Sequence, residues 1–188
     1  MLDLRKIVTD SDPKIRKKSI NVEFPLSKED EDTIKYLYDY LVFADDDKNV
    51  EKFGVKPGVG LAAPQIGVNK RMFAIYVPYF DEQGNISSIT AHAFINPKII
   101  NSSIRQAYLL NGEGCLSVEQ DHEGYVPRAS IVTIKAYDYL LKTEVVVKFR
   151  GYEAIIAQHE YDHLEGILYY DRINKKEPFS RIQGALEI

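Results

Sequence analysis

His159-Glu160-Tyr161-Asp162-His163 fixes two imidazoles four residues apart, and that spacing suits one backbone geometry above others. On an α-helix such residues lie about 40° apart around the axis and about 6 Å apart along it. His159 and His163 then reach one metal ion from the same face, and Glu160 reaches a water on that ion as a general base. The flanking residues agree with a helix. Ala154, Ile155, Ile156, Ala157 and Leu164 favour or tolerate it, no proline intervenes, and Gly166 suits the position just past the end. The competing reading is a surface helix carrying two solvated histidines among acids. The position of a third ligand separates the two.

A chain of 188 residues, 45% hydrophobic and 28% charged, is long enough to bury a core and reads as one soluble domain spanning 1–188. A formal charge of −4 argues against direct sequence-specific nucleic-acid binding. No apolar run is long enough to cross a bilayer. The start, Met1-Leu2-Asp3-Leu4-Arg5-Lys6, lacks the apolar stretch of a secretory leader. One cysteine, Cys115, excludes an intramolecular disulfide and fits a reducing compartment. The expected location is cytoplasmic.

Along the chain, Ser11-Asp12-Pro13 opens a short helix through about Lys18. Ser27 opens a longer one, with Glu29, Asp30 and Glu31 complementing its dipole. Its expected core face is Ile34, Leu37, Tyr38, Leu41 and Val42, flanked by Tyr36 and Tyr40. Residues 44–58 read as a polar, glycine-punctuated loop, because the adjacent acids Asp45-Asp46-Asp47 suggest a solvated segment and lack the alternating spacing of a calcium loop. Strand-like stretches follow at 72–77, 93–100, 131–137 and 143–149, with hairpin turns at Gly84-Asn85 and 138–142. The fold class is α+β: N-terminal helices, then antiparallel β-sheets packed around a C-terminal helix that carries the His-Glu-x-x-His motif.

A catalytic site of this kind takes three protein ligands. Three residues beyond Gly166, where a metzincin would place a histidine, stands Tyr169. A later glutamate of the thermolysin type has little chain to come from; Glu177 is the poor best choice. Upstream, Cys115 sits in Gly112-Glu113-Gly114-Cys115-Leu116-Ser117, where glycines let the backbone approach a neighbour and a thiolate suits a borderline metal. His92 and His122 read as structural or solvated. In Gly58-Val59-Gly60-Leu61-Ala62-Ala63-Pro64-Gln65, the Gln65 amide is the one side chain able to donate a hydrogen bond.

These three segments, in this order, resemble the peptide deformylase family. Its motifs have the forms Gly-x-Gly-Leu-Ala-Ala-x-Gln, Glu-Gly-Cys-Leu-Ser and Gln-His-Glu-x-Asp-His-Leu-x-Gly. The chain carries them at Gly58–Gln65, Glu113–Ser117 and Gln158–Gly166 without departure. The polar insertion at 45–57 and the short tail from Arg172 resemble the class common in Gram-positive bacteria. The resemblance implies Cys115, His159 and His163 as metal ligands, and Glu160 as general acid/base. It places Gln65 and the Leu116 N–H on the oxyanion, with Glu113 bracing the loop. It implies Fe(2+) as the ion, with Ni(2+), Co(2+) or Zn(2+) able to substitute.

The implied reaction removes the formyl group from the initiator methionine of N-formylmethionyl nascent peptides, with transient ribosome association as a possible consequence. It further implies substrate contacts at Val59, Gly60 and Gly114, and a methionine pocket lined by Tyr152 and Ile155, with His122 and Tyr125 as candidate neighbours. Ile155 and Ile156 would keep Glu160 dry.

Overall fold

The computed structural model describes residues 4–188; Met1, Leu2 and Asp3, part of the segment read for a leader, lie outside the described residues. Asp12 caps a 3-10 turn at Pro13–Arg16, shorter than the helix expected there. Helix α1, Lys28–Ala44, begins where Ser27 Oγ accepts the Asp30 N–H at 3.1 Å. Ile34, Leu37 and Leu41 are buried as expected, but so are Tyr36 and Tyr40, while Val42 is 40% exposed. The tyrosines turn inward because their hydroxyls find partners: Tyr36 accepts from the Arg5 N–H at 2.8 Å, and Tyr40 donates to the Lys56 carbonyl at 3.1 Å. A tyrosine with a satisfied hydroxyl packs as a large apolar group.

The expected loop at 44–58 contains a second helix, α2, Asp47–Phe53. Asp46 is its cap, accepting from the Lys48 N–H at 2.9 Å, and Gly54 ends it in the left-handed region at φ 64°. Two features hid it from pattern reading. None of its residues is fully buried, and the acid run that suggested solvent supplies the cap.

Beyond it come β1 Gly60–Ala62, β2 Met72–Phe80, β3 Ile86–Ser102, β4 Gln106–Tyr108, β5 Arg128–Ala129, β6 Ile131–Asp138 and β7 Thr143–Arg150. Helix α3, Gly151–Leu164, and β8, Leu186–Glu187, complete the chain. Five strands form an antiparallel sheet in the order β1-β2-β3-β6-β7. Both predicted hairpin turns are present. At one of them Asp81 accepts from the Gln83 and Asn85 N–H groups, and Gly84 takes φ 81°. A second sheet, β5-β4-β8, departs from the all-antiparallel expectation, because the chain end returns parallel to β4. A two-residue strand carries no periodicity to read.

The larger sheet is covered on both faces. Helix α1 packs with Leu61, Met72, Ala74 and Ile95. Ala154, Ile156, Ala157 and Leu164 of α3 pack with Phe73, Ile75, Phe94, Ile134 and Phe149. A third cluster, Ile15, Val118, Val126, Leu168, Tyr169 and Ile173, supports the far side of the cysteine segment. Helix α3 is thus enclosed rather than laid on a surface, and Glu160, Asp162 and His163 are buried along with its apolar residues. Among the described residues no helix is long and apolar enough to cross a membrane.

Candidate active site

Helix α3 carries His159, Glu160 and His163, and its end is fixed by Gly166 at φ 73°, where a Cβ would stand 2.1 Å from the Arg16 carbonyl oxygen. The loop after β4 brings Cys115 to the same place: Cys115 Sγ lies 3.2 Å from His163 Nε2. The ligand atoms of Cys115, His159 and His163 lie within 4.8 Å of one another. Metal–sulfur and metal–nitrogen bonds of ordinary length around a tetrahedral ion place such atoms roughly 3.5 Å apart, so the triangle fits one ion with little adjustment. Glu177 is absent from this group.

The surroundings favour the same occupant. His159 Nδ1 pairs with Glu113 Oε2 at 2.8 Å, which orients Nε2 toward the triangle. Burial opposes charge on His159, yet Cys115 and Glu113 outweigh it and raise its pKa well above the ordinary imidazole range. A negative potential that holds a proton there is equally available to a cation. Burial, with His159 and Arg128 nearby, holds His163 well below that range, in the neutral form that ligates.

Glu160 is 3% exposed, and its Oε2 has no hydrogen-bond partner among the described residues. Buried polar atoms are rarely left so, and an orphan aimed into a site points to a partner arriving from outside. Burial, with Glu113 adding repulsion, raises the Glu160 carboxyl to about 7 against the pull of His159 and Arg128. The Gln65 amide is fixed by its neighbours: Oε1 accepts the Ala62 N–H at 2.8 Å, leaving Nε2 facing Cys115 Sγ at 3.6 Å.

A cavity of about 540 Å³ opens onto this group. Val59, Gly60, Gln65, Gly114, Cys115, Leu116, Tyr152, Ile155, His159 and Glu160 line it, while His163, 1% exposed, lies behind. All the residues expected at the site therefore meet in one place. Strand β1 lies at the edge of its sheet, beside this cavity. The floor is apolar, with Ile155 2% and Ile156 5% exposed. Of the looser expectations, His122 lines a smaller neighbouring cavity and packs on Tyr170 at 4.2 Å. Tyr125 lines neither cavity and packs on Tyr108 at 4.5 Å instead.

Sequence reasoning missed the buried ion network behind the ligands. Arg128, 2% exposed, donates through Nε and Nη2 to Glu113 at 2.9 and 2.8 Å, and through Nη1 to Asp162. Arg172 closes on Asp162 from outside, with Nη2–Oδ1 at 2.6 Å. Asp162 lies inside the helix motif and was visible; Arg128 opens the two-residue strand β5, too short to carry a pattern. His92, expected to be structural, pairs with buried Asp138 at 2.7 Å.

Comparison with known proteins agrees along the whole chain. The polypeptide deformylase family matches residues 4–179. A peptide deformylase of Levilactobacillus brevis is 45% identical over 188 residues, all of both chains. Peptide deformylase 2 of Bacillus anthracis is 42% identical over 185 residues, 98% of this chain and 97% of that one. The crystal structure of a Met-Ala-Ser-bound class I type b peptide deformylase from Acinetobacter baumannii superposes with a TM-score of 0.70. It is 26% identical, with 92% of this chain and all of that one covered. Motifs, site geometry and relatives converge, and the chain belongs to the polypeptide deformylase family.

Proposed function

We propose that residues 1–188 act as one catalytic domain in which Cys115, His159 and His163 hold a single divalent ion beside Glu160, Gln65 and the Leu116 N–H. The reaction is hydrolysis of the N-formyl group of formylmethionyl nascent peptides. The observation that carries the role assignment is the buried Glu160 carboxylate, free at Oε2 and raised to about 7, beside a thiol and two imidazoles.

An ion held there supplies positive charge that acidifies water and polarises the formyl oxygen. The chain's own groups do the rest. Glu160 takes a proton from the attacking water and later delivers it to the amine nitrogen as the C–N bond breaks. The Gln65 Nε2 and the Leu116 N–H donate to the formyl oxygen while it carries negative charge. Water is added across one bond, so formate and a free N-terminal methionine leave with no change in oxidation state. The free sheet edge at Val59 and Gly60, where β1 begins, takes the peptide backbone as an added strand, with Gly114 lining the same cavity. The methionine side chain enters between Tyr152 and Ile155.

A thiolate with two imidazoles suits a borderline ion, and we assign Fe(2+), replaceable by Ni(2+), Co(2+) or Zn(2+). Cytoplasmic location and transient ribosome association follow from a nascent substrate. The test is Glu160→Ala, assayed by formate release from formyl-Met-Ala-Ser alongside metal analysis. Nearly complete loss of turnover with the ion retained is expected. Retained turnover, or equal cleavage of formylated and unformylated peptide by the wild type, would overturn the reading.

A further inference from the structure

Strand β5 is only Arg128 and Ala129, yet its bonds reach both segments that present ligands, the cysteine loop and helix α3. Arg128 grips both oxygens of Glu113, two residues before Cys115, at 2.9 and 2.8 Å. Its Nη1 donates to Asp162, the residue before His163. The Ala129 N–H donates to Gln158 Oε1 at 2.9 Å, and its carbonyl accepts from Gln158 Nε2 at 2.8 Å. Gln158 is the residue before His159. Each ligand is therefore tied to β5 through a near neighbour in sequence.

We infer that β5 is the positioning element of the metal site. Arg128 and the Ala129 backbone hold the cysteine loop and both histidine turns in register, so that the ligand triangle is set by the protein rather than by the ion. This rests on the proposed metal site and extends it to residues that touch neither ion nor substrate.

The chemistry requires an arginine. Glu113 and Asp162 side chains are 4% and 7% exposed, and two buried carboxylates on converging segments would repel each other. A planar guanidinium bridges them along separate N–H directions, which a lysine ammonium at the end of a flexible stem cannot reproduce. Buried ion networks often serve the fold alone. What distinguishes this one is where its bonds land: on the residues flanking the ligands. The β5 backbone likewise spends one N–H and one carbonyl on a single glutamine of the metal helix.

The experiment uses cobalt-loaded protein as wild type, Arg128→Met, Arg128→Lys and Gln158→Ala. The loss of cobalt to EDTA is followed through its visible absorption bands, and circular dichroism reports the fold. Removing a group that holds a metal ligand in place typically costs roughly 10- to 100-fold in metal affinity. R128M should release cobalt faster by about that range, R128K should fall between it and wild type, and Q158A should release about 10-fold faster. The bands should shift in R128M, a change that a purely fold-stabilising role would not produce. Folded variants with wild-type release rates and unshifted bands would overturn the inference. So would unfolding of all three variants while metal-free wild type stays folded, because the bonds would then serve the fold. Wild-type formate release is measured in parallel. Its absence would sink the deformylase assignment and leave the cobalt readout intact.

Discussion

Gly60→Ala should disable the enzyme by pushing its proton carrier out of place. A Cβ built on Gly60 would stand 2.3 Å from Glu160 Oε1 and 2.7 Å from both Cδ and Cγ. Unbonded carbon and oxygen settle near 3.5 Å, so the Glu160 side chain has to move by about 1 Å along most of its length. It cannot swing freely, because it is 3% exposed on an enclosed helix. A misplacement of that size costs roughly 100-fold in rate, about 2.7 kcal/mol of barrier. Overpacking would add about 1–3 kcal/mol of destabilisation.

The assay is formate release under saturating substrate, with metal content and thermal midpoint measured on the same sample. We expect kcat to fall about 100-fold with KM moving much less and the ion retained. Gly58→Ala is the matched control, since its Cβ would come no closer than 3.4 Å to any neighbour, at Leu116 Cδ1, an ordinary contact. It should lose no more than a few-fold. A G60A enzyme as active as G58A would refute the claim that Gly60 exists to make room for Glu160.

Two further outcomes concern stability. Gly166→Ala should be severe, since φ 73° disfavours any side chain and the Cβ would strike the Arg16 backbone at 2.1 Å. A loss of roughly 3 kcal/mol or more is expected by urea unfolding, and a loss under about 1 kcal/mol would contradict it. Glu113 is held down to about 2: burial opposes its charge, but Arg128 and His159 outweigh it. The unfolded chain therefore binds the proton first as pH falls. Stability that is fully present above about 4.5 is lost toward 2, on the order of 3 kcal/mol in total. Glu113→Gln should flatten that part of the pH–stability curve, and an unchanged acid slope would argue against it.

How much of this was legible beforehand depended on whether a residue's role was local. The His159–His163 spacing declares its own helix, and the three glycine- and cysteine-bearing motifs brought Gln65, Cys115 and Glu160 to one cavity. Four of the five strands of the main sheet announced themselves through β-branched and aromatic runs, whereas β1, Gly60–Ala62, lay unread in a glycine segment. Helix α2 did not, because it buries nothing completely. Tyr36 and Tyr40 were placed beside the core rather than in it, because their hydroxyl partners, Arg5 and Lys56, are distant in sequence. Arg128 was silent for the same reason. Its bonds to Glu113 and Asp162 span 15 and 34 residues, and nothing next to it in the chain marks it.

The two site glutamates lie close in space and are driven in opposite directions. Glu113 goes down to about 2 under Arg128 and His159, and Glu160 goes up to about 7 through burial. Carboxylates pushed apart in this way divide the labour, one staying charged to brace and the other exchanging protons. The division carries a stability cost that can be measured on metal-free protein. For Glu160 the folded pKa lies above the unfolded value near 4.5, so between those limits the folded state binds more protons. Stability must then fall as pH rises from about 4.5 to about 7, by on the order of 3 kcal/mol, and stay low above. Glu160→Gln removes the ionisation while keeping the shape. Compared by urea unfolding, metal-free E160Q should be as stable as metal-free wild type at about pH 4.5 and more stable at pH 8, by up to that amount. A variant no more stable at pH 8 than at pH 4.5, relative to wild type, would mean that burial does not strain this carboxylate. Its pKa would then have to be set by the ion alone.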